Sequence, residues 1–170
     1  MLAPLPARAD WTPESADEEA RHPRAGVVQG DTKLSLGFEY AGVGDDHGWR
    51  INGEFEHLLR NRWGLFGSLS IPVSGPWVVP STLGFRVHAL PGHAFDPFVA
   101  VGGGFAWVNP RDIPADIVPM LAMRLGLSLY STGPFFLEGE GGYDFVHYSH
   151  GGLGFDLGGV VVTGRTGFWF

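Results

Sequence analysis

From Asp31 to its last residue the chain alternates apolar and polar side chains with a period of two, the period of a β-strand. Leu34, Leu36, Phe38 and Tyr40 share one face of the first such segment, with Lys33, Ser35, Gly37 and Glu39 opposite. The pattern returns over residues 49–59, 63–72, 97–108, 118–130, 135–150 and 158–170, and less cleanly over 78–90. One face is almost purely aliphatic and aromatic. The other carries Glu54, Glu56, Arg124, Glu138, Glu140, Asp144 and Arg165.

Eight long alternating segments predict an all-β fold, an eight-stranded antiparallel up-and-down transmembrane β-barrel. A strand needs about 9–11 residues to cross a bilayer, and barrels of this kind have an even number of strands. The ionised face then points to the lumen, where opposite charges can pair, and the apolar face meets lipid. A soluble lipocalin-like carrier would turn the same faces the other way. Composition favours the membrane version: 17% of residues are charged, against about 25% in an ordinary soluble domain. There are also 27 glycines for tight turns. Trp49, Trp63, Trp107, Tyr130, Tyr148 and Trp169 stand near segment ends, as interface aromatics do.

The net charge of −7 offers nothing to offset phosphate repulsion, so nucleic acid is not an expected partner. Without cysteine there is no disulfide, thiolate nucleophile or Cys-zinc site. No apolar run reaches the length of a transmembrane helix. Residues 1–9, MLAPLPARA, end in the A-x-A-like Ala7-Arg8-Ala9 and read as a signal-peptide remnant. Residues 10–30 are charged and proline-punctuated, a short flexible preface; the barrel occupies 31–170. With both ends in the periplasm, 59–62, 89–96 and 131–134 become periplasmic turns. Residues 42–48, 73–77, 109–117 and 151–157 become outer loops.

Of the seven histidines, His22, His47, His57, His88 and His93 are scattered and read as turn or interface residues. No metal-ligand spacing occurs, and no cofactor motif, so none is expected. Gly102-Gly103-Gly104 reads as room for a large neighbour or a bend in the wall. His147 and Ser149 differ: they share the apolar face of a strand with Tyr143 and Phe145, at the end that meets an outer loop. Polar groups in a lipid-facing row are costly, and a histidine beside a hydroxyl is the minimal base–nucleophile pair. The bland reading is that the strand leaves the membrane there.

Residues 145–153, FVHYSHGGL, resemble the H-x-S-N-A-G-L signature on the seventh strand of the lipid A 3-O-deacylases, the PagL-like acyloxyacyl hydrolases. Residues 96–107 and the stretches around Glu54–Glu56 and Leu69–Pro72 resemble that family more weakly. The resemblance implies an outer-membrane barrel with a lipid-facing esterase site acting on lipid A. Ser149 would be the nucleophile, His147 its base, and Gly152 N–H an oxyanion donor. His150 stands where the family has an asparagine as second donor. The family's orienting acid or amide aligns with Val161, or with Val160 when counted from the C-terminus, and neither can orient an imidazole. Asp156 could substitute if its loop folds back. The last residue, Phe170, resembles the signal read by the barrel-assembly machinery, and the expected state is monomer or homodimer. Beside the esterase stands the alternative of a non-enzymatic small barrel, structural or lipid-interacting.

Overall fold

The computed structural model describes residues 26–43, 46–60, 62–75, 77–109, 115–150, 153–156 and 158–170, with backbone alone at 43, 149, 150 and 153–156. Its strands are β1 (Thr32–Val43), β2 (Asp46–Arg60), β3 (Trp63–Pro72), β4 (Val78–His88), β5 (Phe95–Val108), β6 (Asp116–Tyr130), β7 (Phe135–His150), β8 (Leu153–Asp156) and β9 (Gly159–Trp169). Sequential neighbours pair antiparallel from β1 to β7, and β9 pairs with both β7 and β1. The sheet thereby closes on itself as an eight-stranded barrel. No helix occurs among the described residues.

β8 is an addition to the expected eight. Residues 151–157 are expected as an outer loop from their place between two alternating segments. Leu153–Asp156 instead folds back on the end of β7 as a short hairpin standing above the closed register. Among the described residues, β7 pairs with β6 up to Val146 and with β9 up to Asp144, and from His147 to His150 it pairs with β8.

The alternation sorts the side chains as expected. Phe38, Phe105 and Val160 are each 62% exposed on the outside, while Glu56 and Arg86 are 0% exposed inside. Leaving so many large apolar side chains in water would cost about 25 cal/mol for every Å² they show. This wall is solvated by hydrocarbon, and the soluble-carrier reading is set aside. Trp49, Trp63 and Trp107 lie outward near strand ends, but Tyr130 and Tyr148 do not join them. Both sit in the even-numbered, lumen-facing phase of their strands and are buried.

The stretch Gly26–Asp31 closes one mouth. Val27 is fully buried against Leu58, Tyr130 and Phe136, with Trp169 packed alongside. Its carbonyl accepts from Gly92 N, and Gly30 N donates to Leu58 O. Gly26 has φ +99°, and a Cβ there would stand 2.4 Å from the carbonyl oxygen of His93, so only glycine lets the strap lie this close to the β4–β5 turn.

Candidate functional site

The lumen is filled by an ionic network. Glu138 lies at its centre: Lys33 Nζ donates to its Oε2 at 2.8 Å, and Arg165 Nη2 to its Oε1 at 2.6 Å. Arg86 Nη1 reaches Glu56 at 2.8 Å, and Arg86 Nη2 reaches Glu54 at 2.8 Å. Arg165 also meets Glu140 at 2.6 Å and Glu54 at 3.2 Å. Toward the other mouth, Arg50 pairs with Glu39 at 2.9 Å and Arg124 with Asp144 at 2.5 Å. Burial of ions is tolerated because each finds opposite charge and further hydrogen bonds. The Arg86 guanidinium is also held between two rings, 4.1 Å from the Phe98 centroid and 5.4 Å from that of Phe66.

The triple glycine helps make that packing possible. A Cβ at Gly102 would stand 2.6 Å from Thr82 Cγ2 and 3.1 Å from Phe66 Cζ, so the space belongs to a neighbour's ring, as the sequence suggested. His88 is a correction. It is no turn or interface residue but fully buried, with Nδ1 2.7 Å from Asp96 Oδ2 and Nε2 2.7 Å from Glu56 Oε1. It was missed because the alternation through 78–90 is weak, which hid the lumen phase of β4. Among the described residues, this network fills the middle of the lumen and the Val27 strap packs across one mouth.

The predicted esterase residues lie elsewhere, at the end of β7. Phe145 and His147 are exposed on the outer wall, in phase with each other. A groove of about 430 Å³ runs beside His147, lined by Pro119, Met120, Leu121, Phe145 and Val146. In the β7–β8 hairpin the backbone register sets His147 opposite Asp156, Ser149 opposite Gly154 and His150 opposite Leu153. The side chains of Ser149, His150 and Asp156, and the whole of Gly152, lie outside the described residues. Val160 is exposed on the wall and Val161 is buried inside. Their register partners are Tyr143 and Gly142, short of His147 along β7. Among the described residues no cluster of metal-ligating side chains forms.

No family model matches the sequence, and no curated protein matches it. Solved structures do match the fold. The outer membrane protein OprG from Pseudomonas aeruginosa superposes with a TM-score of 0.71 at 14% identity, over 86% of this chain and 99% of its own. The N-terminal β-barrel domain of Pseudomonas aeruginosa OprF gives 0.62 at 17% identity, over 84% and 98%. Ail, the attachment invasion locus protein of Yersinia pestis, gives 0.56 at 16% identity, over 84% and 100%. At such identities the likeness speaks for the fold. Together with a wall that only hydrocarbon can solvate, it makes this chain an outer-membrane β-barrel.

Proposed function

We infer that this barrel works through its outer wall and outer rim rather than through its lumen, as a non-enzymatic, lipid-interacting protein of the outer membrane. The observation that carries this reading is the contrast between a lumen closed by ions and a strap and a wall that is apolar all round. Conduction through the lumen would require breaking several buried ion pairs, each costly to separate in a low dielectric. The mouth bearing β8 and the longer connections faces outward, because outer-membrane barrels keep their short turns on the periplasmic side. Planar-bilayer recording tests the reading: the wild-type barrel should give no steady conductance. A stable open channel would refute it.

A second reading, the lipid A esterase, is favoured by two observations. His147 is exposed on the lipid side beside a groove, and the β8 hairpin brings the Asp156 backbone opposite it. In this reading His147 takes the proton of Ser149, whose oxygen attacks the ester carbonyl. The ester C–O bond then breaks, the departing sugar hydroxyl takes that proton from His147, and the acyl chain stays on Ser149 as an acyl-enzyme. The oxyanion is held by Gly152 N–H and His150, and water later releases the fatty acid. Asp156 would orient the imidazole in place of the family's last-strand acid. Lipid A mass spectrometry decides it: loss of one acyl chain that depends on Ser149 supports the esterase. An identical acyl pattern with and without the protein leaves the first reading alone. The barrel-assembly machinery would engage the C-terminal Phe170.

A further inference from the structure

A second, larger groove of about 1000 Å³ crosses the outer wall from β1 to β6. The sheet register explains its course. One row of outward residues runs Leu36, Gly53, Leu69, Ser81, Phe105, Pro119 from strand to strand. The next runs through Phe55, Gly67, Leu83 and Gly103. Small residues interrupt both rows: the Phe55 ring lies over Gly67, while Gly53 and Gly103 leave open floor between Leu69, Leu83 and Phe105. Glu54 also borders the groove, but its carboxylate is turned to Arg86 and Arg165, so the surface stays apolar.

The groove climbs. It starts by Leu34, near the turn end of β1, and finishes at Pro119, near the loop end of β6. Five strand steps at about 4.8 Å give a course of about 24 Å. With strands tilted near 45° the row from Leu36 to Pro119 drops about 17 Å along the membrane normal. Leu34, two residues nearer the turn end, lies about 5 Å lower still. One extended acyl chain of an outer-leaflet lipid covers that depth by reaching past the middle of a hydrocarbon core about 30 Å thick. Pro119 also lines the smaller groove beside His147, so the two adjoin at that residue.

We propose that this groove holds one acyl chain of an outer-leaflet lipid, its head at the Pro119–His147 end and its methyl end near Leu34 and Phe55. The inference rests on the wall being the working surface and on the β8 mouth facing outward. It holds whether or not Ser149 is a nucleophile. A chain lying here trades contact with mobile neighbours for fixed banks. The gain is dispersion along its length.

The test uses the full chain in vesicles of saturated phosphatidylcholine containing a phosphatidylcholine with a diazirine on one acyl chain. The diazirine sits near the carbonyl in one probe and near the terminal methyl in the other. After irradiation, peptide mapping should place the carbonyl-side label on β5 and β6 around Phe105 and Pro119. The methyl-side label should fall on β1 and β2 around Leu34 and Phe55. The double variant Gly53→Leu/Gly103→Leu fills the floor. A Cβ at these positions has no atom nearer than 3.9 Å and 3.8 Å, so the barrel should still form, checked by heat-modifiable gel migration. Labelling around Leu34 and Phe55 and around Phe105 and Pro119 should then fall several-fold.

Even labelling around all strands, or labelling unchanged in the filled variant, overturns the groove. A reversed gradient between the probes overturns the outer-leaflet assignment. Linked pairs of barrels would show a second copy as the occupant and overturn the lipid. No label on any strand would instead overturn the reading of the wall as lipid-facing, a failure separate from that of the groove.

Discussion

The middle of the lumen and its loop end are built on opposite principles. In the middle, Lys33, Arg86, Arg165, Glu54, Glu56, Glu138 and Glu140 hold one another at hydrogen-bond distances. At the loop end, the β4–β7 side of the lumen is lined by Val78, Ala106, Val108, Val118, Met120, Ala122, Val146 and Tyr148, all buried. The first arrangement is specific and brittle, since removing one partner strands the others in a low dielectric. The second is more tolerant, because an apolar deletion loses its transfer energy and leaves a small cavity but strands no charge. The barrel thus places its costly interactions where strand order fixes every partner, and its forgiving ones near the mouth.

Glu138→Ala should break this contrast most strongly. It leaves Lys33, Arg86 and Arg165 short of a shared carboxylate and should cost about 3–5 kcal/mol. Urea unfolding in lipid vesicles, followed by tryptophan emission, measures it. A loss under 1 kcal/mol, which is about the scale of an exposed pair, would mean that the network is hydrated and not brittle.

Leu125→Lys asks whether the outer wall is as apolar in effect as it is in composition. Leu125 is 65% exposed near the middle of β6, and a lysine there should cost about 2–4 kcal/mol in vesicles. No loss in the same titration would contradict a lipid-facing wall.

His88→Gln keeps one hydrogen bond at best between Asp96 and Glu56, and should cost about 1–3 kcal/mol. Hydrogen exchange sharpens the comparison here. Protection should fall at Leu90, whose N–H donates to Asp96, and stay unchanged in the loop-end cluster.

Val118→Ala should be the mildest, about 1.5 kcal/mol for two methyl-sized groups. A loss as large as that of Glu138→Ala would erase the distinction between the two ends.

Much of this was legible from residue order alone. A period of two places Glu54, Glu56, Glu138, Glu140 and Arg165 inside and Leu36, Phe105 and Val160 outside, because each step along a strand reverses the side-chain direction. Partners were not legible. Lys33 and Glu138 are 105 residues apart and meet only because the barrel closes with a particular shear. His88 was lost to the weak alternation of 78–90 and Tyr148 to its place at a strand end. β8 was hidden because four residues are too few to show a period of two between the longer segments on either side. The residues drawn from the family resemblance are legible as a motif. Their mutual geometry depends on a hairpin register that spacing does not encode.

The seat of Val27 is assembled from β2, β6, β7 and the end of β9. β6, β7 and β9 follow one another in the chain, but β2, which supplies Leu58, joins them only after the seam between β1 and β9 has zipped. In any half-made barrel the strap therefore lacks one side of its seat. Its seating timestamps the end of assembly, and a probe attached beside Gly26 would serve as a clock for that last event.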